Sequence, residues 1–250
     1  FYEEFGQVLK EGIHTDWDNK DKIAELIRFK TTKSEDKLIS LKQYVENMKP
    51  DQKEIYYITG ENLTTIANSP LLERLKEKDY EVLLMTDPVD EFVVTSLTEY
   101  DGKQLKSAEK GDLDIEEGKE EKEKKDAYTA LFGFIKTKLQ DKVKDVKPSS
   151  RLKDSIACLS GDAYDMSAYM EKLLKASGAQ APDNKRVLEI NTGHPVVDKI
   201  KTKFESNRDD PSLSDYSELL FDMAVISEGG KVENPSKFNK MIGELMTSAL

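Results

Sequence analysis

Apolar residues recur along this chain with two different periods, and the changes of period mark its parts. In the opening segment, Phe1, Phe5, Val8 and Leu9 fall on one side of a short helix that Gly12 can stop. Asp18 can cap a second helix carrying Ile23, Leu26, Ile27 and Phe29. Ser40 can cap a third over SLKQYVENM, ended before Pro50. The pattern then shifts. KEIYYITG is dense in β-branched and aromatic residues, closes on Gly60 and predicts a strand. NLTTIANSPLLERLKEKD predicts a helix interrupted at Ser69-Pro70, YEVLLMTD a second buried strand, and PVDEFVVTSLTEY a helix opened by Pro88. Strand, helix, strand, helix makes a βαβα unit with parallel strands and a right-handed crossover.

Between Glu109 and Asp126 nearly every residue is charged, in mixed signs. Such a run builds no core and divides the chain into residues 1–108, a linker at 109–126, and residues 127–250. From about Glu116 it is expected to run as a solvated helix into AYTALFGFIKTKLQDKV, where Leu131, Phe134, Ile135, Leu139 and Val143 form an apolar face. VKPSSRLKDSIACLSG holds one or two strands, with Ile156, Cys158 and Leu159 in the later one. KRVLEINTGHP is a strand ending in a turn, and VVDKIKTKFES a helix. The fold class is α/β in the first half, passing to α+β in the second.

Three helical stripes remain. In GDAYDMSAYMEKLLKAS, Met166, Tyr169, Met170, Leu173 and Leu174 share one face. That face is either a seam of the chain's own core or a soft surface held open for something else. In the penultimate helix, Leu213, Tyr216, Leu219, Leu220, Met223 and Ala224 recur at helical spacing. In the last, Phe238, Met241, Ile242, Leu245, Met246 and Ala249 do the same. Part of each face serves a hairpin within the chain. Burying each further large side chain is worth roughly 1.5–3 kcal/mol, and several could outweigh an association cost of about 4–15 kcal/mol. Two hairpins meeting about a two-fold axis would make a four-helix bundle, so a homodimer is expected.

Charge narrows the function. The 250 residues are 37% apolar and 35% charged, with a net charge of −11. An acidic chain is a poor ligand for nucleic acid or an anionic membrane. No apolar run approaches the roughly 20 residues of a membrane span. The single cysteine, Cys158, excludes an internal disulfide framework, fits a reducing, cytoplasmic compartment, and reads as a buried inert thiol. The chain opens at Phe1 without an initiator Met and is expected to be a fragment.

Candidate chemistry is sparse. His14 and His194 read as turn or capping residues rather than as a catalytic base. Asp112, Asp114, Glu116 and Glu123 have calcium-loop spacing, but Glu117 occupies the place of the required Gly. No phosphate loop is present, and no metal or cofactor is expected. The alternative to a binding module is an α/β enzyme or anion-binding domain with its site at the strand ends near Gly60 and Asp87.

Several strings carry a resemblance. FYEEFGQVLKEGIHTD, IAELIRF, SLKQYVENMKPDQKEIYYITGE, NSPLLERLKEKDYEVLLMTDPVDEF, LTEYDGK, SSRLKDSIACL, LEINTGHPVV and ELLFDMAVISEG resemble, in that order, the heat-shock protein 90 chaperones. The likeness runs from the later middle domain to the C-terminal dimerisation domain and covers essentially all 250 residues. No acidic Met-Glu-Glu-Val-Asp tail, which recruits tetratricopeptide cochaperones, is present. That absence points to the bacterial type, high-temperature protein G.

The resemblance implies an ATP-driven clamp whose ATP and magnesium site lies upstream, so this fragment is expected not to be an enzyme. It implies homodimerisation through Leu213, Tyr216, Leu220, Met223, Phe238, Met241, Ile242, Leu245 and Met246. Partly folded client proteins would be held by Met166, Tyr169, Met170, Leu173 and Leu174, with a second surface at Glu91 and Phe92. Phe92 stands where well-studied bacterial relatives have tryptophan, and Thr95 where they have asparagine.

Overall fold

The computed structural model describes residues 2–34, 37–113, 126–179 and 184–249. The chain forms two compact units. The first comprises Phe1–Asn68, Leu75–Lys110 and Asp165–Asp183; the second comprises Ser69–Arg74, Gly111–Tyr164 and Asn184–Leu250. The segment carrying Met166 and Met170 therefore belongs with the first unit, although it follows the charged run in sequence. Phe1 and most of that run, 114–125, fall outside the described residues, and with them the expected solvated helix.

The first unit opens with α1 (Tyr2–Thr15), a 3-10 turn over Trp17–Asn19, and α2 (Lys20–Ala24). The helix face differs from the expected one. Phe5 and Val8 are exposed, while Gly6, Lys10 and Ile13 are buried. Gly12 lies inside the helix rather than ending it, and a Cβ there would stand 2.9 Å from the Ile23 side chain. Phe29 belongs not to a helix but to β1 (Arg28–Thr31), which pairs antiparallel with β2 (Ile39–Ser40). Ser40 then caps α3 (Leu41–Asn47) through a reciprocal box with Gln43, as its sequence predicts.

β3 (Ile55–Thr59) is buried at all five positions and is followed by α4 (Leu63–Ala67). A 3-10 turn at Pro70–Leu72 interrupts the helical stretch where Ser69-Pro70 predicts a break, and α5 (Glu73–Glu77) resumes it. β4 (Val82–Met85) runs parallel to β3, completing the expected strand–helix–strand crossover. α6 (Asp90–Ser96) leads into a hairpin absent from the sequence expectation, β5 (Glu99–Tyr100) and β6 (Lys103–Ser107). Its turn residues Asp101 and Gly102 both have positive φ, the conformation a two-residue hairpin requires. β6 pairs parallel with β3, giving a six-stranded sheet in the order β2-β1-β4-β3-β6-β5. Its core gathers Ile13, Phe29, Leu41, Tyr44, Ile55, Leu83, Met85 and Val93.

In the second unit, α7 (Thr129–Lys138) buries Leu131, Phe132 and Ile135. It ends sooner than expected, because Val143 already begins β7 (Val143–Pro148). β8 (Ala157–Ser160) and β9 (Arg186–Ile190) complete a three-stranded sheet ordered β7-β9-β8, parallel on one side of β9 and antiparallel on the other. α8 (Ala168–Ala176) lies between β8 and β9 in sequence but in the first unit in space. α9 (Pro195–Ser206), α10 (Ser212–Ser227) and α11 (Pro235–Ala249) close the chain. Val197, Phe204, Leu213, Leu220 and Ala224 pack with Leu131, Ile135, Leu159 and Leu188 into one core.

Candidate functional site

Ser167 begins the amphipathic helix α8. Its extended backbone and its Oγ, which accepts the Met170 N–H at 2.9 Å, form the N-cap. The same hydroxyl donates to Glu91 Oε1 at 2.6 Å, and the Ala168 N–H donates to Glu109 Oε1 at 2.8 Å. Tyr169 turns inward and donates its hydroxyl to the Thr86 carbonyl at 3.2 Å. Burial, then the charges of Glu61, Glu91, Asp90 and Asp87, raise its phenol above the ordinary value. Lys172 pairs with Glu61 further along the helix. Met166, Met170, Leu173 and Leu174 stay half-buried, and within α8 only Tyr169 is fully covered.

The first turn of α6 sends three consecutive side chains to three places. Asp90 is fully buried, with Lys10 Nζ 2.8 Å from its Oδ1. Glu91, 5% exposed, meets Ser167. Phe92 is 43% exposed and lies beside the His14 ring, the centroids 5.8 Å apart. Glu91 and Tyr169 thus depart from the expected client surface. Both are covered by their own unit because each is committed to a polar partner inside it.

The other candidates resolve into structural roles. His14 Nδ1 lies 2.8 Å from Ser96 Oγ, and His194 accepts the Val196 N–H as the cap of α9. Cys158 is buried, and burial pushes its thiol well above the usual range. Gly60 donates its N–H to the Met85 carbonyl, and its missing Cβ makes room for Ile66. Asp87 is engaged by Lys10 Nζ at 2.7 Å and Gln7 Nε2 at 3.2 Å. Burial alone would raise its carboxyl, but these partners, Lys10 above all, hold it below the ordinary value. Among the described residues no group of three or more His, Cys, Asp or Glu could hold a metal ion. Asp114, Glu116 and Glu123 of the calcium-like spacing lie outside them. Among the same residues no helix is long and apolar enough to cross a membrane.

The terminal helices divide their stripes. Leu213, Leu220 and Met241 are buried within their own chain, so they fill the unit's core rather than a free face. Tyr216, Met223, Phe238, Ile242 and Leu245 are half-buried, and Met246 is 59% exposed. Asn234 caps α11 by accepting the Lys237 N–H at 3.0 Å, and Lys237 pairs with Glu218 of α10.

Comparison with known proteins fits these features into a family. The sequence model of the family described as Hsp90 protein matches residues 1–250. Chaperone protein HtpG of Geobacter metallireducens is 44% identical over 256 residues, covering 99% of this chain and 39% of that protein. HtpG of Alkalilimnicola ehrlichii is 45% identical over 255 residues, covering 99% and 38%. A solved middle domain of a Plasmodium falciparum heat-shock protein shares 46% identity, covers 43% of this chain and 46% of that one, and has a TM-score of 0.42. The chain spans about two fifths of the length of the curated relatives it matches. With the family's sequence model matched from the first residue to the last, the chain belongs to the Hsp90 protein family.

Proposed function

We propose that this chain supplies the homodimerisation region and part of the client-binding surface of a cytoplasmic Hsp90-type chaperone. ATP and magnesium chemistry is assigned to the part of the longer relatives outside it. The reading is carried by α8. A helix whose Met166, Met170, Leu173 and Leu174 are all left half-covered, while its first turn is firmly held, presents apolar side chains on a fixed support. Methionine is flexible and polarisable, and it can repack against partners of differing shape. Phe92 adds a second exposed apolar contact in the same unit. The half-buried remainder of the α10 and α11 stripes, with exposed Met246 and Ile226, is the surface for a second copy.

The test uses the full chain and a fluorescently labelled, reduced and carboxymethylated α-lactalbumin as a permanently unfolded probe. Met166→Asp with Met170→Asp is expected to weaken probe binding about tenfold or more while the dimer persists. Ile242→Asp with Met246→Asp is expected to give monomers in sedimentation across a dilution series. Unchanged probe affinity removes the two methionines from the site, and a folded wild-type monomer at high micromolar concentration rejects the dimer.

A further inference from the structure

We propose that Glu91 and Glu109 form a two-carboxylate latch on the N-terminus of α8, and that Glu91 serves client binding as a positioning residue acting through Ser167. The inference rests on the reading of α8 as a client-facing helix, and adds the means by which its methionines are held in place.

The first turn of a helix leaves backbone N–H groups without partners in the helix. In α8 the Ala168 N–H is taken by Glu109 and the Met170 N–H by Ser167 Oγ. Accepting from the helix leaves the Ser167 hydroxyl hydrogen free to donate, and it donates to Glu91. One hydroxyl therefore joins α8 to α6, while the carboxylate of Glu109, two residues past β6, joins it to the sheet strand. The Glu109 N–H is itself anchored on Ser107 Oγ at 3.2 Å. Negative charge is favoured at a helix N-terminus, and both carboxylates are buried, so water competes poorly for these bonds. Tyr57, on β3, stands close to both carboxylates. Burial first, then the fields of Glu91 and Glu109 push its phenol up to about 12.

Exposure separates the two roles at this corner. Phe92 offers a ring to solvent; Glu91, its neighbour in sequence, offers almost nothing. Met166 directly precedes the capping serine and Met170 follows it by three residues, so both hang from the turn that the latch fixes. Releasing either carboxylate frays that turn and lets both methionines lose their common direction.

The test measures binding of the same carboxymethylated α-lactalbumin probe to the full chain, together with amide hydrogen exchange at Ala168–Met170 and, as a check on folding, across β4. Glu91→Ala, Ser167→Ala and Glu109→Ala are each expected to weaken probe binding about five- to tenfold and to speed exchange in the first turn of α8. Glu91→Ala combined with Ser167→Ala is expected to be no worse than the poorer single variant, because both cut the same tie. Ser167→Thr, which keeps the hydroxyl, is expected to keep wild-type values, and Glu109→Gln, which keeps an accepting oxygen but not the charge, to lose less than Glu109→Ala. Losses that multiply in the double variant would mean that Glu91 touches the probe directly, and would overturn the positioning role. First-turn exchange unchanged in Glu91→Ala and Glu109→Ala would overturn the latch. If Met166→Asp with Met170→Asp leaves the probe bound, the client reading fails, and the exchange measurement still decides the latch by itself.

Discussion

Arg151 and Glu189 meet as an ion pair in which both side chains are 0% exposed. Glu189, on the central strand β9, also accepts from Ser149 Oγ at 2.8 Å and Ser160 Oγ at 2.7 Å, and Lys147 Nζ stands 3.6 Å away. Arg151 reaches the Gly111 carbonyl as well. Taking two charges out of water is recovered only where the remaining lone pairs and N–H groups find partners, and here they do. Arg151→Met is expected to lose about 3–5 kcal/mol, because it strands a buried carboxylate. Adding Glu189→Met should cost less than the sum of the two single changes. Native-state hydrogen exchange at β9 reads the loss directly; strictly additive losses would show that the pair is uncoupled.

Glu73 carries an acid-sensitive contribution to the second unit. Its Oε2 accepts the N–H groups of Lys153 at 2.6 Å, Asp154 at 2.8 Å and Ser155 at 3.1 Å, and the Ser155 hydroxyl donates to Oε1. Burial by itself raises this carboxyl, but Ser155 and the three N–H groups outweigh it, and the folded value lies below the ordinary one. The unfolded chain therefore binds the proton more readily. The contribution is present above about pH 4.3 and is lost as pH falls through the lower folded value. Glu73→Ala is expected to be less stable than wild type by about 1 kcal/mol at pH 7, a figure kept small by the group's partial exposure. The gap between the two denaturation curves should narrow as pH falls below the ordinary glutamate range. A gap that stays constant with pH would separate the contact from the carboxylate's charge.

Gly60 tests whether the end of β3 is a packing joint or an anion loop. A Cβ there would stand 2.3 Å from Ile66 Cγ2, and a β-branched side chain buried on α4 has little freedom to withdraw. Gly60→Ala is expected to destabilise the first unit by about 1–3 kcal/mol. Its further cost in an Ile66→Ala background should be much smaller, because the colliding methyl is gone. A saturable thermal shift with inorganic phosphate, abolished by Gly60→Ala, would instead favour the anion loop.

Much of the fold was legible because it is written locally. Ser40 with Gln43, Ser69-Pro70 and Asn234-Pro235 announce helix starts that the structure contains, and the β-branched, aromatic and aliphatic runs at β3 and β4 announce buried parallel strands. What escaped depends on residues far apart. The buried side of α1 is centred on Lys10, a residue that periodicity assigns to solvent. Asp87 and Asp90, close to eighty positions later, make that burial affordable. Asp101-Gly102 was a local signal for the β5–β6 hairpin, obscured by the helical periodicity of the preceding segment. At the candidate site the apolar stripe of α8 was visible, but not that Tyr169 would turn inward or that Glu91 would be enclosed. Their partners, Thr86 and Ser167, are supplied by tertiary structure alone.

The six-stranded sheet ends on both sides in strands only two residues long, Ile39–Ser40 and Glu99–Tyr100. An open margin of amides is what lets stray polypeptide zip onto a sheet and grow there. Stubs at both margins deny such a chain a template. Stray polypeptide therefore finds no long edge on this sheet from which a fibril could grow.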